Sequence, residues 1–275
     1  MLTIALTGAD GLVGSRIIEL LSNDFVFIPL SHGQMDITDK NRVNKTLKDL
    51  NFDLFLHLAA YTQVDKAEKE KDLAFLINGV GTKNLFESVL EKNKKFIYFS
   101  TDFVFDGKNP PYFEDSQPNP LGIYAASKYE GEIVVGNKGM IVRISYPYRV
   151  AYDKKMDFVR NIKEALSQGK KLNMIEDALF TPTFIDDIAY GLKYLFNNYS
   201  PEIYHLVGAQ SLSPYEAGKL IAETFGLNQD LVSPISFSEY SKGRAPRSQY
   251  SEIKSKKNTF QTMKSFSEGL SQFNP

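Results

Sequence analysis

Apolar and polar positions follow two alternating periods through the first half of the chain. Leu2-Thr3-Ile4-Ala5-Leu6-Thr7 is a short, β-branched, apolar run that predicts a buried parallel strand. Ser15 to Leu21 then carries helical spacing, and Phe25 to Leu30 predicts a second strand. Lys40 to Leu50 reads as a helix with Thr38 or Asp39 as its cap. Leu54 to Ala59 predicts a third strand, Asp72 to Asn93 a long helix, and Lys95 to Ser100 a fourth strand. Strand and helix alternating in this way imply right-handed crossovers and a parallel sheet covered on both faces.

The pattern loosens after residue 105. Asp106 to Gly122 holds Asp106-Gly107, Pro110-Pro111, Pro118 and Pro120, and is predicted as a loop. A helix is predicted from Tyr124 to about Val135, and a buried strand over Met140 to Ile144. Beyond Pro147 the elements shorten, with helices over 158–169, 184–197 and 214–225 and a strand over 203–207. Lys254 to Pro275 is polar with weak periodicity and is expected to be partly flexible. The predicted fold class is α/β, a doubly wound parallel sheet of Rossmann type with a smaller C-terminal α/β lobe. Residues 1–147 are expected to form the first unit, with about 180–200 packing back onto it, and 148–275 mainly the second.

Composition narrows the chemistry. The 275 residues include 43% hydrophobic and 24% charged positions, ordinary for a globular protein. A formal net charge of -1 points to no nucleic-acid partner and no membrane surface. The chain has no cysteine, which excludes disulfides, thiolate metal sites and cysteine nucleophiles. His32, His57 and His205 lie far apart, so no metal site is expected. No segment reaches the roughly 18 apolar residues of a membrane span, and a cytoplasmic location is the expectation.

Thr7-Gly8-Ala9-Asp10-Gly11-Leu12-Val13-Gly14 follows the first strand directly. In such a loop Gly8 permits the turn, Gly11 lets backbone approach a pyrophosphate, and Gly14 lets the next helix pack on the strand. Unpaired amides at the helix start, with Leu12 and Val13 in its first turn, favour the negative charge. This is the signature of a dinucleotide site. The second strand ends in Leu30-Ser31-His32-Gly33, without the carboxylate that selects a ribose 2′-hydroxyl and without an evident arginine for a 2′-phosphate. NADPH is the expected coenzyme, NADH the alternative. Asp36 and Ile37 are read either as flanking the adenine ring or, for Asp36, as helix punctuation.

Tyr124 and Lys128 are one helical turn apart and share a face. A free tyrosine, with a pKa of about 10, is a poor acid near neutrality. A nearby ammonium would bring it toward the working range and could also hold the nicotinamide ribose. The strand ending Phe99-Ser100-Thr101-Asp102 offers a hydroxyl for a substrate carbonyl, from Ser100 or Thr101, with Thr101 favoured.

On these pieces the chain resembles an extended short-chain dehydrogenase/reductase, and within that superfamily the dTDP-4-dehydrorhamnose reductase family. The resemblance is carried by Thr7 to Gly14, Ala59 to Glu68, Ser100 to Gly107, Tyr124 to Lys128, Val142 to Tyr146, Thr181-Pro182-Thr183 and Arg244 to Ser248. It implies NAD(P)H-dependent reduction of a 4-keto group on a nucleotide-linked deoxysugar, with Thr101, Tyr124 and Lys128 catalytic. It further implies Ala59, Ala60 and Tyr61 along the dinucleotide cleft. Val64, Asp102, Phe103 and Tyr146 would sit at the sugar and Arg247 at the nucleotide phosphates. Arg143 is read equally as a ligand contact or a buried ion pair. Tyr146 stands where the family commonly carries tryptophan, Phe103 replaces a tyrosine, and Ala245 interrupts an Arg-Pro element. The alternatives are an epimerase or dehydratase that retains NAD, and a non-catalytic regulatory subunit of the same fold. The partner expected is a nucleotide sugar, with a homodimer left open.

Overall fold

The structure, a computed structural model, describes residues 1–273; positions 274–275, part of the stretch expected to be flexible, lie outside it. In chain order the first half comprises β1 (Thr3–Thr7), α1 (Leu12–Leu21), β2 (Val26–Leu30), α2 (Lys40–Lys48), β3 (Leu54–His57), α3 (Val64–Ala67), α4 (Lys71–Phe75), a π-helical stretch (Leu76–Gly81), α5 (Thr82–Glu91), β4 (Lys95–Thr101), α6 (Ile123–Val135) and β5 (Met140–Ile144). The second half comprises β6 (Pro147–Tyr148), α7 (Phe158–Ser167), β7 (Leu172–Ile175), β8 (Thr183–Phe184), α8 (Ile185–Asn197), β9 (Ile203–His205), α9 (Pro214–Thr224), β10 (Val232–Ile235), α10 (Phe237–Tyr240) and α11 (Phe266–Ser271).

Six parallel strands form the central sheet in the order β2-β1-β3-β4-β5-β9. Alternation on β4 shows why both faces are covered. Ile97 and Phe99 enter the cluster shared with α1 and α8, whereas Phe96 and Tyr98 enter the cluster shared with α2 and α5. A strand whose two faces are both buried reads as a continuous apolar run, and the sequence shows one here. The chain moves outward from β1 to β2 and then crosses back to β3. That reversal opens a crevice beyond the carboxyl ends of β1 and β3.

Three features depart from the sequence pattern. The long helix predicted over 72–93 is interrupted by the π-helical stretch Leu76–Gly81. The local reason is packing: a Cβ at Gly81 would lie 2.7 Å from Ile37 Cγ1, and Asn78 is pinned by tertiary hydrogen bonds described below. Two short strand pairs, β6 with β8 and β7 with β10, were not predicted. Each joins segments distant in sequence, and Pro234 within β10 suits a two-stranded edge. Within Lys254 to Phe273, α11 carries a reciprocal cap in which Ser265 and Glu268 each accept from the other's backbone amide, and Phe266 and Leu270 are fully buried.

Residues that follow β6 hold α1 and the glycine loop in place. Arg149, just after β6, donates to Ser15 Oγ at 2.9 Å and to Glu19 at 2.6 Å, both on α1. Tyr152 donates from its hydroxyl to the Asp10 carbonyl in the glycine loop at 2.5 Å.

Candidate active site

The glycine loop meets the requirements of a phosphate cradle. Gly8 adopts φ +71°, and a Cβ there would fall 2.8 Å from the Leu58 carbonyl carbon. A Cβ at Gly14 would lie 2.3 Å from Gly8 O, so only glycine lets α1 start this close to the end of β1. Gly11 is the N-cap of α1 and offers no side chain to the first-turn amides of Leu12 and Val13. Those amides can therefore serve an anion. Beside them runs a cleft of about 630 Å³ whose lining includes Gly8, Gly11, Asp36, Ile37, Ala59 and Ala60. Its shape and donors fit a dinucleotide.

Asp36 Oδ1 accepts from the Thr38 amide at 2.9 Å and the Thr38 hydroxyl at 2.8 Å, which hold its carboxyl below the usual range. Tyr61, expected along this cleft, turns from it. Its hydroxyl donates to Glu70 at 2.7 Å and its ring packs in a cluster with Ala67, Ala74 and Tyr124. Asn78 ties this region together. Its Oδ1 accepts from Tyr61 N at 2.9 Å, while its Nδ2 donates to Tyr61 O at 3.1 Å and to Ser127 Oγ on α6 at 2.9 Å.

Thr101 ends β4 and Tyr124 opens α6; the Thr101 hydroxyl donates to Asp102 Oδ1 at 3.1 Å and accepts from the Phe103 amide at 3.3 Å. Burial pushes the Tyr124 phenol up to about 12, the Asp102 charge adding to the rise and Thr101 opposing it. The sequence suggested the reverse direction, with Lys128 lowering it. Lys128 instead donates to the Phe99 carbonyl at 2.7 Å, with its ammonium 4.1 Å from the centre of the Tyr98 ring. Burial lowers Lys128 itself to about 7. Tyr124 is thus held protonated at neutral pH, as a proton donor must be.

Asp102 lies behind this group, 2% exposed. It accepts from Thr101 Oγ1 at 3.1 Å and from Ser145 Oγ at 3.0 Å, and burial lifts its carboxyl to about 6. Its carboxylate thus faces protein hydroxyls. The neighbouring Ser100 is buried, and its hydroxyl has no partner among the described residues.

A line of rings leads away from the phenol. Phe103 meets Tyr124 edge-on at 5.5 Å and lies 6.2 Å from Tyr146, which in turn meets Phe180 at 4.7 Å. Tyr146 holds this position at φ 39°, a left-handed conformation that costs a non-glycine residue on the order of 1–3 kcal/mol. The rings open into a pocket of about 210 Å³ lined by Tyr146, Phe158, Phe180, Phe237, Tyr240 and Arg247. Flat aromatic walls suit a planar base. Arg247 donates to the Ala245 carbonyl at 3.1 Å and to the Tyr240 hydroxyl at 3.3 Å, and it is ion-paired with Asp65. Asp65 follows Val64 at the start of α3; Val64 is half-buried and is not among the residues that line this pocket.

Arg143 is a structural residue. Its guanidinium is 1% exposed and makes two bonds to Glu132, at 2.9 and 2.6 Å. Sequence reading did not find Asn78, Ser145, Arg149 or Tyr152. Only Asn78 left a signal, as a polar residue inside the apolar run Leu76-Ile77-Asn78.

Residues 2–273 match the family described as RmlD substrate binding domain. The chain is 31% identical over 261 residues to the spore coat polysaccharide biosynthesis protein SpsK of Bacillus subtilis, covering 92% of this chain and 89% of that protein. It is 28% identical over 261 residues to dTDP-4-dehydrorhamnose reductase of Mycolicibacterium smegmatis, covering 92% and 78%. Among solved structures, dTDP-4-dehydrorhamnose reductase from Bacillus anthracis str. Ames in complex with NADP superposes with a TM-score of 0.91. That pair is 32% identical, with 99% of this chain and 98% of that chain covered.

Proposed function

The chain belongs to the RmlD substrate binding domain family, and from that premise we propose that it is an NADPH-dependent reductase of a nucleotide-linked 4-keto-deoxysugar, dTDP-4-dehydrorhamnose above all. The observation that carries this reading is the row of rings from Tyr124 through Phe103 to Tyr146, which joins the phenol, beside Thr101 at the end of β4, to the wall of the aromatic pocket. Relatives named dTDP-4-dehydrorhamnose reductase, and the NADP bound in one of them, support the substrate and coenzyme.

In this reading the coenzyme lies in the cleft of the first lobe. Gly8, Gly11, Leu12, Val13 and Gly14 hold its pyrophosphate, Asp36 and Ile37 border the adenine, and Ala59 and Ala60 form the floor. Bound NADPH supplies a hydride. Thr101 positions the sugar ketone oxygen, and Tyr124 gives that oxygen its phenolic proton, so the carbonyl becomes an alcohol. Lys128, held between Phe99 O and the Tyr98 ring, would bind a ribose hydroxyl of the coenzyme. Asp102 sets the rotamer of Thr101. Phe103 and Tyr146 exclude water beside the sugar, and the aromatic pocket with Arg247 takes the nucleotide. Residues 1–147, joined by α8 and β9, then serve the coenzyme, and 148–273 mainly the substrate.

Incubating the protein with NADPH and dTDP-4-dehydrorhamnose tests the reading through loss of reduced-nicotinamide absorbance. No turnover with this or any other keto-sugar nucleotide would overturn it.

A further inference from the structure

The carboxyl end of β2 faces the part of the cleft where a dinucleotide places its adenosine ribose. Three observations at this end go beyond the reductase reading, on which they rest for the coenzyme itself. First, no carboxylate follows β2: Leu30 leads into Ser31-His32-Gly33, so nothing there is built to accept a 2′-hydroxyl or to repel a 2′-phosphate. Asp36, the nearest acid along the cleft, has one carboxylate oxygen committed to Thr38.

Second, the turn after β2 is rigidly closed. Met35 N donates to Ser31 O at 2.9 Å and Gln34 N to the same oxygen at 3.1 Å. Gln34 Oε1 accepts from both the amide and the hydroxyl of Ser31, each at 2.9 Å. Ser31 and His32 line the cleft from this turn.

Third, the fold supplies the arginine that local sequence lacks. Arg42, in the first turn of α2, donates through Nη2 to the Gly33 carbonyl. That acceptor is neutral, and the remaining guanidinium N–H groups stay free for an anion. Thr38, His32 and Arg42 together hold the Asp36 carboxyl low, Thr38 contributing most, so the Arg42 charge is felt at this rim of the cleft.

We propose that Arg42 is the residue that selects the coenzyme, its guanidinium taking the 2′-phosphate of NADPH beside His32. An arginine presents a planar fork that matches a phosphate, whereas a 2′-hydroxyl offers it nothing charged. Selection here is by attraction of the phosphate, with no built-in rejection of NADH.

Isothermal titration of NADPH and NADH, each against the wild-type protein and the Arg42→Gln and Arg42→Lys variants, tests this. Arg42 is exposed, so the variants should fold, which a thermal melt checks. The expected result is NADPH affinity weakened about tenfold or more in Arg42→Gln, NADH affinity changed by less than about twofold, and partial recovery in Arg42→Lys. Parallel loss of both coenzymes, or no loss of NADPH, would overturn the assignment while leaving the reductase reading intact. Wild-type protein that binds neither coenzyme would overturn both.

Discussion

The Lys128 ammonium donates to the Phe99 carbonyl oxygen at 2.7 Å, across from α6 to the central strand β4. An amine buried with a neutral acceptor loses its charge readily, and burial brings this one from 10.5 to about 7, with Glu132 opposing the fall. The sign of the stability effect follows. Between pH 7 and 10.5 the unfolded chain holds a proton at this lysine that the folded chain does not, so folding grows more favourable as pH rises through that window. Below it the full cost of the buried charge is present. Lys128→Met is therefore expected to have a higher urea midpoint than wild type at pH 7, with the gap narrowing toward pH 10. A gap that stays constant with pH would count against this placement of the charge.

Tyr124 meets Phe103 edge-on through its ring, so Tyr124→Phe keeps that packing and removes only the proton donor. On the proposed reaction kcat falls on the order of 10²–10⁴-fold. NADPH affinity, measured by titration calorimetry, should stay within about threefold. Undiminished turnover would take Tyr124 out of the chemistry.

Gly14→Ala places a Cβ 2.3 Å from Gly8 O and 3.2 Å from Ala9 Cα, both backbone atoms that no rotamer change can move. Overpacking of this kind costs on the order of 1–3 kcal/mol. Lower stability in urea is expected together with weaker NADPH binding, because α1 and the loop must separate. A variant as stable as wild type with unchanged affinity would show that the loop has slack.

Arg143→Met strands the Glu132 carboxylate, which is 3% exposed. Removing one partner of such a pair costs on the order of 3–5 kcal/mol. The double variant Arg143→Met with Glu132→Met should recover much of that loss, and a double-mutant cycle in urea measures the coupling. Additive losses would mean the two residues act independently.

Much of this protein was legible in the chain because it depends on short-range repetition. Burial on both faces of a strand writes a continuous apolar run, which located β1, β3, β4 and β5. A turn that admits no Cβ demands glycine at fixed spacing, which marked Gly8 and Gly14. Helical pitch placed Tyr124 and Lys128 on one face of α6.

Tertiary structure decided everything that depends on which distant group arrives next to which. Composition and spacing place a charge, but only its partner determines its role. Arg143 became half of an ion pair because α6 and β5 pack with Glu132 inward, and Arg247 met Asp65 from 182 positions away. The same holds for Lys128, which a one-dimensional reading sets beside a phenol and the fold aims at the Phe99 carbonyl. Arg42 reached the turn after β2 only because α2 folds back along it. Hydrophobic periodicity reports burial, which is local and cumulative. Hydrogen bonds and ion pairs depend on distance and direction to within a fraction of an ångström, and those are properties of the folded chain alone.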